Sequence, residues 1–334
     1  MGRVLVSVGN FEEQCPDAID MLKRHGDEIV IANEEEINQV AQYTFEELKK
    51  LLPTIDAAIV GLDDYQNPEV WKISKRLKGV TKFGVGIDNF NLEEAARHGC
   101  YVANCPGGNS NSVAELTIGL MIDVLRAIVP QDDSMRNKVW TRYHGHELEG
   151  MTVGLYGFGS IARIVAKKLQ AFDVSVIAYD PYPNKLAADE LKVRLVTEDE
   201  VISNCNILSL HAPATKENYH VINKNTLEKM KEGSYIINAA RGSLIDIDSL
   251  VDALKSGKLA GAALDAFEGE TSEYLGSESI QALISCPNVV LTPHTGAETI
   301  EAMQKVGRIA AQNVIDIIDG KMPKFCVNKK YFSS

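Results

Sequence analysis

The stretch that most constrains this chain runs from Met151 to Asp180, MTVGLYGFGSIARIVAKKLQAFDVSVIAYD. Thr152 to Tyr156 is a short apolar run of the kind that forms a buried strand, and it breaks at Gly157-Phe158-Gly159-Ser160-Ile161-Ala162. Helical spacing follows, with Ile161, Val165, Lys168, Leu169 and Phe172 on one side, and a second β-rich run, Val174 to Tyr179, ends at Asp180. Strand, glycine turn, helix and strand in this register form a dinucleotide signature. Gly157 permits the tight turn, Gly159 lets a pyrophosphate approach the helix N-terminus, and Ala162 allows close helix–strand packing. Asp180, at the tip of the second strand, is placed to accept hydrogen bonds from a ribose diol. An acid there predicts NAD as cofactor, because it would repel a 2′-phosphate.

A chain of 334 residues can bury a large core, and its length predicts two domains. The formal charge of −12 and a pI near 5.1 argue against nucleic acid or anionic membranes as partners. Six cysteines are scattered without a CxxC pair, as expected of reduced thiols in a cytoplasmic protein. The opening MGRVLVSVGN has no apolar stretch long enough for a signal peptide, and no run approaches the length of a membrane span.

Strand-like runs at Arg3–Val8, Glu28–Ala32, Asp56–Gly61, Val80–Gly84 and Tyr101–Asn104 alternate with helix-like runs. The latter lie at Asp17–His25, Phe45–Leu52, Pro68–Leu77 and Leu92–His98. This alternation implies a parallel sheet with helices on both faces. Ser112–Val129 reads as one long helix, apolar nearly all round and hence buried between domains, and Gln131–Val139 as an amphipathic one. After the nucleotide unit, strands are predicted at Val193–Val196, Asn206–Leu210, Tyr235–Asn238, Ala260–Leu264 and Val289–Leu291. Helices are predicted at Lys185–Leu191, Asp199–Asn204, Asn225–Lys229, Ile247–Lys255 and Glu298–Gly320, and Lys324–Val327 could return to the first sheet. The expected architecture is two Rossmann-like, doubly wound parallel-sheet domains with the NAD domain inserted into the other. The expected bounds are 1–104 and 296–334 for a discontinuous, flavodoxin-like substrate domain, and 105–295 for the NAD domain.

Ligands of open α/β sheets sit outside the carboxyl ends of the strands. His211, Arg241, Asp265, Glu270 and His294 all follow predicted strands and so collect on that edge. Each has a plainer alternative: Arg241 as a surface arginine, Glu270 as a loop acid, His294 as a strand-end cap. Reducing a 2-oxo acid needs a cation for the carboxylate, and the planar fork of Arg241 suits it. It also needs a proton donor near neutrality, which suits His294. Glu270 beside that imidazole would raise its pKa, and Asp265 could accept from a nicotinamide carboxamide. Gly84-Val85-Gly86-Ile87-Asp88-Asn89 has no small residue three after Gly86 and is not a second dinucleotide turn. It is either a backbone loop holding a substrate carboxylate or a plain strand-to-helix turn. His144-Gly145-His146 lacks further ligands nearby and reads as a solvated loop, so no metal is expected.

Over almost its full length the chain resembles the D-isomer-specific 2-hydroxyacid dehydrogenases. The segments that carry this are KFGVGIDN (Lys82–Asn89), PGGNSNSVAELTIGLM (Pro106–Met121), VGLYGFGSIA, LHAPAT (Leu210–Thr215), NAARG (Asn238–Gly242), LDAFEGE (Leu264–Glu270) and TPHTGAET (Thr292–Thr299). The resemblance implies Arg241, Glu270 and His294 as a catalytic triad. It implies NAD contacts from Gly157, Gly159, Ser160, Ile161, Asp180, His211, Pro213, Ala239, Ala240, Asp265 and Gly296. It also implies a substrate-carboxylate loop at Val85-Gly86 near Lys82, and a homodimer joined through the NAD domain. NSNSVAELT and TPHTGAET look most like the phosphoglycerate dehydrogenase branch, with three departures. Gly61-Leu62-Asp63-Asp64-Tyr65 stands where that branch has a phosphate-binding arginine, no appended regulatory domain follows before Ser334, and Thr271 replaces a proline. If that loop faces the site, Asp63 and Asp64 would repel a phosphate, so the expected substrate is a small unphosphorylated 2-oxo acid. The rivals are 3-phosphoglycerate, a dehydrogenase of formate or phosphite, and a non-catalytic NADH-sensing scaffold.

Overall fold

A computed structural model describes residues 1–31, 43–61, 63–268 and 275–332, which divide into two compact units, 1–109 with 297–332 and 110–296. The chain thus leaves the first unit after Asn109 and re-enters it at Ala297, against expected crossings at 104/105 and 295/296. The end of the predicted strand at Ala32, together with Leu62, Glu270 and Thr271, lies outside the described residues.

The first unit is built on β1 (Arg3–Ser7), β2 (Glu28–Ile31), β3 (Ala57–Val60), β4 (Gly79–Lys82) and β5 (Tyr101–Ala103). They pair in the order β2-β1-β3-β4-β5, all parallel. Short β-branched runs form these strands, and because successive side chains point to opposite faces, both faces are buried. Val4, Val6, Ala57 and Ile59 pack toward α1 (Phe11–Gln14), α2 (Pro16–His25) and the long helix Ile300–Ile318. Leu5, Ala58, Val60, Val80 and Val102 pack toward α3 (Phe45–Leu51), α4 (Pro68–Ile73) and α5 (Leu92–Arg97). The tail does return to the sheet: Val327 donates its N–H to the Val102 carbonyl at 2.8 Å, and Cys326 bridges Ala103 antiparallel.

The second unit opens with α6 (Ser110–Arg126) and α7 (Ile128–Arg136). The predicted single helix through Val129 breaks at Ala127, which is left-handed (φ 49°). The break places Pro130 in the first turn of a new helix, where its missing N–H costs nothing. α6 buries Ala114, Ile118, Met121 and Leu125 in the core of its own unit. Seven parallel strands follow: β6 (Thr152–Tyr156), β7 (Ser175–Tyr179), β8 (Arg194–Leu195), β9 (Ile207–Leu210), β10 (Ser234–Asn238), β11 (Leu259–Leu264) and β12 (Val289–Leu291). Their order is β12-β11-β10-β9-β6-β7-β8, so the winding reverses between β6 and β9. Around them lie α8 (Ser160–Leu169), α9 (Lys185–Glu190), α10 (Glu198–Asn204), α11 (Lys224–Lys229), α12 (Ile247–Lys255) and α13 (Glu278–Ile284). The last was not predicted, although Ser277 as N-cap and the spacing of Ile280 and Leu283 signal it. Val153, Leu155, Ile237 and Ala263 face one helical layer, and Leu208, Leu210, Ile236 and Leu264 the other. Both units are doubly wound α/β sheets. No described helix is long and apolar enough to cross a membrane.

Candidate active site

The reversal of winding between β6 and β9 leaves a crevice at their carboxyl ends, the usual ligand position in such sheets. Gly157 leaves β6 with φ 97°, and a Cβ there would stand 2.8 Å from the Ala212 nitrogen and 2.9 Å from the His211 carbonyl carbon. Only glycine satisfies both the dihedral and the approach. Two main-chain bonds close the crevice floor: Gly157 donates to the Tyr179 carbonyl and His211 to the Tyr156 carbonyl, each at 2.7 Å. Gly159 is different. Its φ of −74° suits any residue, and a Cβ there would meet nothing within 4 Å. The space beside it is what a pyrophosphate would fill, at the N-terminus of α8, where no side chain caps the helix. Ser160, exposed, and Ile161, partly buried, begin that helix. These features fit a dinucleotide.

Asp180 follows β7 with both carboxylate oxygens engaged, one by the Phe158 N–H and one by the Tyr182 N–H, each at 2.8 Å. A carboxylate has about four acceptor positions, so the ribose role is compatible with this brace. His211 follows β9 with Nε2 2.9 Å from Ser209 Oγ. Burial of the ring pushes its pKa down to about 4 although part of the residue remains accessible, so the imidazole is neutral at physiological pH. Pro213, exposed, and Ala239 and Ala240, partly buried, line the neighbouring loops.

Arg241 follows β10, and a residue not singled out from sequence sets its turn. Asn238 is fully buried and donates to the carbonyls of Arg241 (2.9 Å) and Ala266 (2.8 Å), while its Oδ1 accepts from the Ala240 N–H at 3.0 Å. An amide ending the otherwise apolar strand SYIIN was the available signal. Gly242 brings the next loop close, since a Cβ on it would stand 2.3–2.6 Å from main-chain atoms of Phe267 and Glu268. Arg241 therefore sits beside the segment that leads into Glu270. Its Nη1 donates to the Ala240 carbonyl at 2.7 Å.

His294 follows β12, exposed, with a left-handed φ of 55°. Its loop is held by Asp265, which is buried at 2% exposure. Asp265 Oδ1 accepts from Thr292 Oγ1 (2.6 Å) and the Thr295 N–H (2.8 Å), and Oδ2 accepts from the Gly296 N–H (2.8 Å). A Cβ on Gly296 would fall 2.9 Å from Oδ2, so this bond requires glycine. Ser112 Oγ closes the same loop by donating to the Gly296 carbonyl at 2.6 Å. Asp265, expected to contact the nicotinamide, braces with its carboxylate the stretch on both sides of His294. Thr292 and Thr295 were missed from sequence because nothing local tells a loop threonine that bonds a distant acid from one that faces water.

In the first unit, Lys82 ends β4 and Val85-Gly86 follow, Val85 being 39% exposed. The loop is pinned by the Gly84 carbonyl, which accepts from the Cys105 N–H at 2.8 Å, and by the Val85 carbonyl, which accepts from Asn104 Nδ2 at 2.8 Å. Asp63, expected to repel a phosphate from the loop surface, is instead wholly buried, and only Asp64 is exposed.

The family model for the D-isomer specific 2-hydroxyacid dehydrogenase NAD binding domain matches residues 118–296. The D-3-phosphoglycerate dehydrogenase of Archaeoglobus fulgidus is 36% identical over 328 residues, covering 98% of this chain. The chain spans only 59% of that relative's length. The glyoxylate reductase of Thermofilum pendens is 39% identical over 292 residues and is covered to 85%, as is this chain. The apo-structure of D-lactate dehydrogenase from Escherichia coli superposes with a TM-score of 0.83 at 26% identity, covering 98% of this chain and 100% of that one. The chain belongs to the D-isomer specific 2-hydroxyacid dehydrogenases, and its second unit contains their NAD-binding domain.

Proposed function

We propose that this chain is an NAD-dependent dehydrogenase interconverting a small 2-oxo acid and the (R)-2-hydroxy acid. The observation that carries the reading is the gathering, within the second unit, of a dinucleotide crevice with Arg241 and His294 at the carboxyl ends of strands of the same sheet. The first unit would bind substrate and the second NAD. Gly157, Gly159, Ser160 and Ile161 would hold the pyrophosphate, Asp180 the adenosine ribose, and His211, Pro213, Ala239, Ala240 and Gly296 the rest of the dinucleotide. NAD, when bound, accepts or supplies the hydride.

Arg241 would grip the substrate carboxylate and polarise the 2-oxo group, with the main chain of Val85-Gly86 and the Lys82 ammonium assisting. His294 would give its proton to the carbonyl oxygen during reduction and take it back during oxidation. Glu270 would stabilise the imidazolium. Asp265 would act through His294, by holding its loop.

The substrate is expected to be unphosphorylated, such as pyruvate, hydroxypyruvate or glyoxylate. The segment Gly61–Tyr65 offers no arginine to a phosphate, and the Thermofilum relative of similar length is named a glyoxylate reductase. A panel of 2-oxo acids with NADH, ranked by kcat/KM, tests this. Turnover best with 3-phosphohydroxypyruvate would restore the phosphoglycerate reading, which the Archaeoglobus relative favours. No NADH oxidation with any member would favour a sensing scaffold. The acidic chain and its six free thiols agree with a cytoplasmic location and no nucleic-acid partner. The partner would be a second copy, joined through the second unit.

A further inference from the structure

In the first unit, the ends of β1 and β4 are tied to the loop after β3 at Asp63 and the residues beside it. Asp63 turns inward from the β3 loop and accepts from Ser7 Oγ at the end of β1 and from the Tyr43 N–H at 2.6 Å. It is wholly buried. The backbone of the same loop is held from β4 and the segment beyond it. Lys82 Nζ donates to the Gly61 carbonyl, and Asn89 Nδ2 donates to the Asp63 carbonyl at 2.7 Å. The lysine stem runs beside Gly84, with Cε 3.8 Å from where a Cβ would stand, so the cation lies at the root of the Val85–Gly86 loop. The ammonium is bonded to the carbonyl two residues before Asp63, and its charge lowers the carboxyl pKa, by less than Ser7 and the Tyr43 N–H do. In such a medium a neighbouring anion cancels much of a cation's field, and salt screens the pair poorly.

We propose that Asp63 is a specificity-determining residue: it is a buried counter-charge near Lys82, and by weakening that cation it tunes the substrate loop to 2-oxo acids bearing a single negative charge. Asp63 touches no substrate and acts through Lys82. The proposal rests on the 2-oxo acid reading above and deepens it. A substrate with a second anionic group would gain from a less opposed ammonium, and Asp63 reduces that gain. Burial raises the Asp63 pKa from 3.8 to about 6, against the opposing pull of Ser7, the Tyr43 N–H and Lys82. Glu47 and Tyr65 are the other titratable groups that interact with it among the described residues.

The probe is 3-sulfopyruvate against pyruvate, because a sulfonate carries its second charge without titrating across the working range. In Asp63→Asn the ratio of kcat/KM values, sulfonated over plain, is expected to rise on the order of tenfold, through KM rather than kcat. In Asp63→Asn with Lys82→Met the gain should vanish. The wild type supplies a test that needs no variant: the ratio should rise as pH falls from 7.5 toward 5, as Asp63 takes up a proton, and should do so at high salt as well. Thermal protection by sulfolactate relative to lactate, with NAD present, reads binding without turnover, so failure of the reaction assignment is distinguishable from failure of this one. A ratio unchanged both in Asp63→Asn and across the wild-type pH range overturns the proposal. So does a gain that survives the loss of Lys82.

Discussion

At the scale of single residues, His294 is held against its own preference. A left-handed backbone costs a non-glycine residue about 1–2 kcal/mol, and here the bonds from Asp265 to Thr292, Thr295 and Gly296 over-determine it. His294→Ala is expected to lose on the order of 10²–10⁴ in kcat while the affinity for NADH, read by fluorescence titration, barely moves. Glu270→Gln should lower the pH at which reduction falls off, because the imidazolium loses its anionic partner; an identical profile would remove Glu270 from that role. Asp63 carries a different prediction. Its folded pKa of about 6 stands above the ordinary 3.8, so its contribution is most favourable at low pH and is lost as pH rises through about 6. The full effect of this shift is roughly 3 kcal/mol, about half of it already lost at pH 5, so the wild type should be less stable at pH 7.5 than at pH 5 by roughly 1.4 kcal/mol from this group alone. Asp63→Asn, which cannot ionise, should abolish that part of the slope in urea denaturation, and parallel pH profiles for the two proteins would refute the burial argument.

At the scale of elements, the unit β6–turn–α8–β7 does two things with one acid. Asp180 braces the glycine turn through Phe158 and opens the following turn through Tyr182. With Asp180 in its proposed role at the adenosine ribose, a 2′-phosphate would have to lie against this carboxylate. We expect kcat/KM for NADH to exceed that for NADPH by a factor of ten or more, about 1.4 kcal/mol in the transition state. Asp180→Ala should narrow the gap mainly by weakening NADH and should also lower the melting temperature, since the Phe158 N–H loses its acceptor. Equal use of both cofactors by the wild type would contradict this account.

At the scale of the whole molecule, one surface stretch stands out. Ile128, Val129 and Met135 on α7, with Val139, Trp140 and Tyr143 just beyond, are all 47–81% exposed. Large apolar side chains left exposed along one stretch of an acidic protein would be covered by a second copy joined through the second unit. Sedimentation velocity should give about twice the chain mass of 36.6 kDa. Val129→Glu with Met135→Glu should shift the species toward the monomer without abolishing NADH binding. A wild type that sediments as a monomer at micromolar concentration would sink the dimer.

Much of this was legible in the residues, for local reasons. The two sheets follow from short β-branched runs alternating with amphipathic helical ones, and the dinucleotide turn from glycines whose dihedral and contact demands are confined to a few neighbours. The edge on which Arg241, Asp265 and His294 gather follows from the rule of parallel sheets, because each lies within three residues after a strand. Helix ends were less legible. Ala127 breaks a run of unbroken apolar periodicity, and only the next proline hinted at it. What tertiary structure alone decided is which polar groups find each other. Asp265 reaches loop residues about thirty positions away, Asn238 ties its own turn to Ala266, and Asp63 faces Ser7 rather than solvent. Sequence placed each of these groups at a strand end. Its partner depends on which strand lies alongside, and that is settled only when the sheet has formed and burial makes every unpaired polar atom costly.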